Sequence, residues 1–414
     1  MDRPRRHWLS IAAVMFGVGW GANQFTSLLL AYHDYRGVPV STDQALFGVY
    51  ALGLAPALLL GGPASDRWGR GRLLRPAVVV SVLATVVLML GVQSTPALYV
   101  GRFLAGAASG ATFAAGTAWV KELSVPPYDL HAGEQAGARR AAIALTAGFG
   151  LGPVVTGLIG QWSPHPLVLA YLPHLVVMAA VIPGLWRAPE TVPATDTEQP
   201  GPAARLRVHS ATHPRFVTVV APIAPWVFGA PAVAFAVLPS VISTHTRGYG
   251  IAFAGVAAGL TLAVGVLVQP LARRLDGVGD NRGTTAGLIS VIAGMLVAAL
   301  AATQGSPLEA LAAAALLGAG YGFILVSGLL EVQRLAGPDE LAGLTAVFYT
   351  LTYVGFAAPI VLAELTGLTT YPVLLVALAG LAAISLVAMT LEARRHPVGA
   401  TPTRPTARSS GPPR

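Results

Sequence analysis

The chain has 414 residues, 54% of them hydrophobic and only 11% charged. Soluble domains carry about a quarter charged residues, so a soluble enzyme is excluded, because too few side chains of the kind that face water are present. There is no cysteine, which excludes disulfides, thiolate metal sites and cysteine nucleophiles.

The formal net charge is +8, and it sits in short loops, where it sets membrane orientation instead of marking a nucleic-acid surface. Between the loops run stretches free of Asp, Glu, Lys, Arg and His, among them 8–32, 76–101 and 216–244. Each can cross the ~30 Å hydrocarbon layer as a helix. Arg3, Arg5, Arg6 and His7 imitate the basic start of a signal peptide. The apolar run that follows is too long for a cleavable segment of about 7–15 residues, so it reads as a first span.

Splitting the apolar stretches at their turn signals predicts twelve helices: 8–31, 43–63, 73–93, 97–120, 138–161, 167–187, 216–241, 250–271, 284–304, 308–332, 341–365 and 371–392. Gln93-Ser94-Thr95-Pro96 and Gln304-Gly305-Ser306-Pro307 are two of the separating turns. With the N-terminus placed in the cytoplasm, Arg36, Arg102 and Arg247 fall toward the outside, and all the remaining basic residues lie on or beside the inner face. That asymmetry supports an even number of spans in a cell (inner) membrane, with both ends cytoplasmic.

The longest loop, Ala188 to Pro214, is rich in proline. It divides the chain into a six-helix bundle over 1–187, a linker over 188–214, a second six-helix bundle over 215–395 and a basic tail over 396–414 with too little apolar surface to fold. The halves read as copies. At an offset of 206, Trp20 matches Trp226 and Pro153 matches Pro359, and at 212 Gly106, Gly110 and Gly116 meet Gly318, Gly322 and Gly328. Parallel six-helix repeats place a substrate cavity between them near mid-membrane.

Between the second and third helices stands Gly62-Pro63-Ala64-Ser65-Asp66-Arg67-Trp68-Gly69-Arg70. It resembles the G-x-x-x-D-R-x-G-R signature of the major facilitator superfamily, with Gly62, Asp66, Arg67, Gly69 and Arg70 all matching. The resemblance implies an all-α membrane fold and a gate on the cytoplasmic side. In that gate Asp66 sits against the positive start of helix 11, near Pro338-Asp339-Glu340, and joins an ion-pair network with Glu122 at the end of helix 4. Such contacts would hold the cytoplasmic side shut in the outward-facing state. The alternative is that the arginines are topology charges only.

Arg102 begins Arg102-Phe103-Leu104-Ala105-Gly106 in helix 4, similar to the family's R-x-x-x-G element, whose arginine is implicated in proton movement in proton-driven members. An intramembrane arginine serves a pathway or a pair, or it snorkels to the outer interface. Helix 5 carries Gly148, Gly152, Pro153 and Gly157, which resembles the antiporter element G-x-x-x-G-P-x-x-G-G with Thr156 in place of one glycine. Ordinary small-residue packing is the competing reading.

No acid sits at the centre of a predicted span. Asp34 flanks the first outer loop, and His174 is the one histidine inside a span, where it either titrates or packs. Arg102, Asp34 and His174 are therefore the proton-coupling candidates. Aromatic and amide residues near mid-membrane are the substrate-cavity candidates: Trp20, Asn23, Gln24, Trp226, Phe228, Tyr321, Tyr349 and Tyr353.

The expectation is a secondary transporter, monomeric and working by alternating access, that exports a small, largely apolar molecule in exchange for protons. It needs no cofactor and no metal, and its partners are its substrate, protons and the bilayer, not nucleic acid. An importer of a metabolite is the alternative, and a non-transporting receptor or scaffold is a third reading. The residues speak against an ATP-driven pump, since there is no G-x-x-x-x-G-K-[ST] loop and Lys121 is the single lysine.

Overall fold

The computed structural model describes residues 7–133, 135–192, 208–276, 281–337 and 340–395, which are helices and their connecting turns. Arg3, Arg5 and Arg6, residues 193–207 of the linker, Pro338 and Asp339, and the tail over 396–414 lie outside the described residues.

Among the described residues twelve helical elements follow one another. They are α1 (His7–Asn23, continued as Phe25–Arg36), α2 (Val40–Trp68), α3 (Arg70–Leu90), α4 (Thr95–Glu122), α5 (Ala136–Trp162), α6 (Pro166–Trp186), α7 (Phe216–Val241), α8 (Gly250–Leu275), α9 (Arg282–Gln304), α10 (Pro307–Leu335), α11 (Leu341–Tyr353, continued as Ala358–Leu365) and α12 (Tyr371–Arg395). Eleven of them are each long and apolar enough to cross a membrane alone. The first is built of two segments, of 17 and 12 residues. His7 and Arg395 begin and end an even number of these elements, so we call the face that carries them the terminal face and the opposite one the far face.

Local chemistry sets the ends. Ser94 and Ser306 accept the backbone N–H of Ala97 and Glu309 at 3.4 and 3.3 Å, and a proline in the first turn follows each cap. Gly69, with φ at +99°, is the single residue between α2 and α3. The second helix therefore runs over 40–68 instead of 43–63, and Asp66 and Arg67 lie on its last turn, not in a loop. The first helix, predicted unbroken over 8–31, is interrupted at Gln24 and continues to Arg36. The eleventh tightens into a 3₁₀ turn at Val354–Ala357, ahead of Pro359.

The repeat is visible in the packing. A side chain on Gly106 of α4 would strike the Tyr50 carbonyl of α2, and one on Gly318 of α10 would strike the Thr261 carbonyl of α8. The glycines that match at offset 212 thus make the same close crossing in both bundles.

Burial shows how the bundles meet. One core, with Met15, Leu74, Trp119, Met178 and Leu185, belongs to the first bundle alone, and another belongs to the second. A third, on the far half, joins Phe25, Leu28 and Phe47 to Phe235, Ile251 and Phe356 across the divide. Gln44 donates to the Ala236 carbonyl at 2.8 Å, and Gln161 donates to the Gly248 carbonyl at 3.1 Å while accepting from Ile251 at 2.8 Å. On the terminal half α5 and α8 instead part around a cavity of about 910 Å³. The far face is closed and the terminal face is open.

Candidate functional site

Two glycines build the centre of the divide. Gly229 of α7 and Gly355 of α11 let the backbones touch, since a side chain on Gly355 would overlap the Pro225 carbonyl. Phe228 and Phe356, their sequence neighbours, therefore stack at 5.0 Å and 15°. Tyr353 lies over Phe228 at 5.3 Å and 5°, and Tyr321 and Tyr349 extend the stack at 6.3 and 6.5 Å. From the first bundle Phe47 and Tyr50 meet Phe356 at 5.2 and 6.5 Å. Phe228, Tyr321, Tyr349 and Tyr353 are half-buried, so their ring edges remain available to a planar, apolar ligand.

The structure brings those four candidates together and places the other four elsewhere. Trp226 donates to Ser385 on α12 at 3.1 Å, inside the second bundle. Trp20 is buried against Gly152 of α5, with Phe16 edge-on at 5.8 Å. Asn23 donates to the Phe149 carbonyl at 2.9 Å. That carbonyl is the helical acceptor stranded by Pro153, which has no N–H to give it. Gln24 donates to Thr85 at 3.0 Å, and Thr85 shares a hydrogen bond of 2.8 Å with His174. This buried chain links the break in α1 to α3 and α6. Phe47, Tyr50 and Phe356 are the site residues that the sequence reading misses. The i, i+3 pairs Phe47/Tyr50 and Tyr353/Phe356 are the signal that marks them as sharing helix faces.

Arg102 does not snorkel. It is 1% exposed, donates to the Leu46 and Ala22 carbonyls at 3.1 Å each, and lies over the rings of Phe25 and Tyr50 at 4.9 and 4.6 Å. Asp34 is exposed on the last turn of α1 and is not joined to Arg102 or His174. Asp43, in the first turn of α2, is the buried acid of that corner: it is 3% exposed, and its Oδ1 has no hydrogen-bond partner among the described residues.

On the terminal face Arg70 donates to Glu122 at 2.7 Å and to Ser65 at 2.6 Å, and it pairs with Asp66. Linker residue Glu190 accepts the backbone N–H of Arg70 and Gly71 at 2.9 and 2.8 Å, so it caps the positive start of α3. Asp66 is 46% exposed, with Arg70 its one ion-pair partner among the described residues. Arg67 is exposed outside the network, and a side chain at Gly62 would meet open space. Glu340, at the start of α11, accepts from the Ser210 hydroxyl and from the Ser210 and His209 backbone at 2.9 Å each. These donors hold its carboxyl below the usual glutamate range. A second network, unforeseen from the sequence, joins Arg215 to Glu331 and Asn281, while Asp276 accepts the Gly283 N–H at 2.9 Å and so caps α9.

The helix 5 element lies on the closed seam. Gly148 and Gly152 admit the Phe16–Trp20 backbone of α1. A side chain on Gly157 would come within 2.8 Å of the Ile251 carbonyl on α8, and one on Gly255 would overlap the Pro153 carbonyl.

The sequence model described as Major Facilitator Superfamily matches residues 9–359 of this chain. Among solved structures, a nucleoside transporter NupG superposes with a TM-score of 0.73 at 13% identity, over 94% of this chain and 99% of that one. A peptide transporter POT in complex with sulfate gives 0.74 at 15% identity, over 96% and 97%. A POT family transporter in complex with 5-aminolevulinic acid gives 0.77 at 11% identity, over 95% and 97%. No curated protein matches the sequence.

Proposed function

The chain belongs to the major facilitator superfamily and is a multi-pass membrane transporter, not an enzyme; from that premise we propose proton-coupled export of a small, largely apolar, planar molecule. The stacked rings of Phe228, Tyr353, Phe356 and Tyr321 at the centre of the divide carry this reading. They offer broad apolar faces with no charged side chain among them, which suits an uncharged ring system better than a zwitterion. We place the terminal face in the cytoplasm, on the strength of the arginine asymmetry. The arrangement described above is then inward-open, ready to load an exported substrate. Asp43, Arg102 and His174 are buried in spans without an ion-pair partner among the described residues, and an intramembrane ionisable group is by default a candidate for coupling. The structural neighbours are named as nucleoside and peptide transporters, and import of a metabolite is the second reading.

The test is transport of a planar, neutral aromatic dye in proteoliposomes with an imposed pH gradient. Movement against the dye gradient, driven by opposing proton flow, is expected. Movement that ignores the gradient would refute coupling, and uptake with the proton would favour the importer.

We assign Asp66 to a latch that forms when the terminal face closes, with the start of α11 as its partner. A half-exposed ion pair such as Asp66–Arg70 contributes about 0–1 kcal/mol, so Asp66→Asn is expected to fold and insert normally. Loss of the charge at a helix start should still slow turnover, roughly threefold to tenfold. Wild-type turnover in that variant would remove the latch.

A further inference from the structure

On the open terminal half, the cavity between α5 and α8 has walls from both bundles. Ala142, Ile143 and Val266 make its middle apolar, while Arg139 from the first bundle and Arg273 from the second stand on it. Both arginines are exposed, and neither side chain has an ion pair or hydrogen bond among the described residues. Arg140, the next residue, shows the contrast: it pairs with Asp129 at 2.8 Å and lies over Trp8 at 4.0 Å. The described lining holds no carboxylate. An apolar slot between the helix ends of the terminal face, bearing two exposed guanidinium groups with no carboxylate among the described lining residues, matches an amphiphile with an anionic head.

We propose that this cleft takes the phosphate headgroup of an anionic phospholipid from the leaflet at the terminal face. Arg139 and Arg273 grip the phosphate from opposite bundles, and the upper acyl chains lie along Ile143 and Val266. A phosphate held by one arginine from each side needs the bundles apart at this depth, so a bound lipid favours the open terminal face. A ligand shifts an equilibrium by its preference for one state, and this one would prefer the arrangement in which the bundles stand apart at the cavity. Lipid binding is independent of the export reading. Its effect on conformation rests on alternating access.

The chain's lack of cysteine allows spin labels to be introduced at the exposed positions Leu130 and Leu341, one on each bundle, without removing any native thiol. Replacing phosphatidylcholine with phosphatidylglycerol in nanodiscs is expected to raise the ratio of long to short distances roughly fivefold. In the Arg139→Gln/Arg273→Gln variant the shift should vanish, and native mass spectrometry should show fewer retained phosphatidylglycerol molecules. No lipid dependence in the wild type, or an equal dependence in the variant, overturns the proposal. So does an equal shift produced by soluble glycerophosphate in phosphatidylcholine, which would mean a free-anion site. These readouts need no transported substrate, so they stand even where the export assay fails.

Discussion

Gly255→Leu is expected to abolish transport while leaving the protein folded and in the membrane. A side chain at this position falls on the Pro153 carbonyl and within 3.2 Å of the Gly157 Cα, both of them backbone of α5. No rotamer change relieves such a clash, so α5 and α8 must separate along the seam that closes the far face. Overpacking of this kind costs about 1–3 kcal/mol. At 1.4 kcal/mol per tenfold, the balance between closed and open far faces moves by roughly five- to a hundredfold. Each bundle keeps its own core, so insertion and yield should hold. Labels at Tyr35 and Leu368, both exposed on the far face, should move apart. Gly62→Leu is the opposing control. The space beside Gly62 is empty in the state seen here, so the far-face distance should stay short while turnover falls, because the terminal face then fails to close. An unchanged Tyr35–Leu368 distance in Gly255→Leu, or undiminished transport, would show that the seam is not a moving part.

Much of this architecture was legible in the residues. Charge-free runs gave the crossings, and the glycines at 106 and 318 announced matching close contacts, because a backbone crossing leaves no room for any other side chain. The Gly62–Arg70 segment and Glu122 pointed to a network that the structure assembles around Arg70. What stayed hidden depends on partners far along the chain. Pro153 states that a carbonyl is stranded, but nothing in the sequence says that Asn23 satisfies it across 126 positions. The same holds for Glu190, whose carboxylate reaches back to the start of α3 from the linker. Asp34 and Asp43 flank one short turn, and periodicity cannot tell which faces water. The packing of the folded chain decides it: Asp34 is exposed and Asp43 is buried. Aromatic candidates were separable only in part, since a tryptophan such as Trp226 fits the core of its own bundle as readily as a cavity.

Arg102→Met is expected to cut transport at least tenfold while lowering stability only modestly, and that pairing of outcomes is the informative one. The guanidinium is buried on α4, with its hydrogen bonds given to two main-chain carbonyls and its faces to Phe25 and Tyr50. Its partners are neutral, so removing it strands no opposite charge. Methionine fills much of the volume and gives up about 1.5–3 kcal/mol for each charge-assisted hydrogen bond, but it also ends the cost of holding a cation inside the membrane, about 2.5–3.5 kcal/mol on insertion scales. The two bonds together give up about 3–6 kcal/mol, most of it offset by the regained insertion cost, so the net loss of stability is about 0–3 kcal/mol. A thermal midpoint at or modestly below that of wild type is therefore expected. Transport should respond differently if the cation serves as counter-charge to a group that gains and loses a proton during the cycle. Arg102→Lys should retain a fraction of the rate, because a point charge survives while the planar fork to Leu46 and Ala22 is lost. The pH dependence of turnover should flatten in Arg102→Met and persist, shifted, in Arg102→Lys. Full transport in Arg102→Met with an unaltered pH profile would reduce the residue to a brace between α1, α2 and α4, and proton coupling would then have to rest on Asp43 and His174 alone.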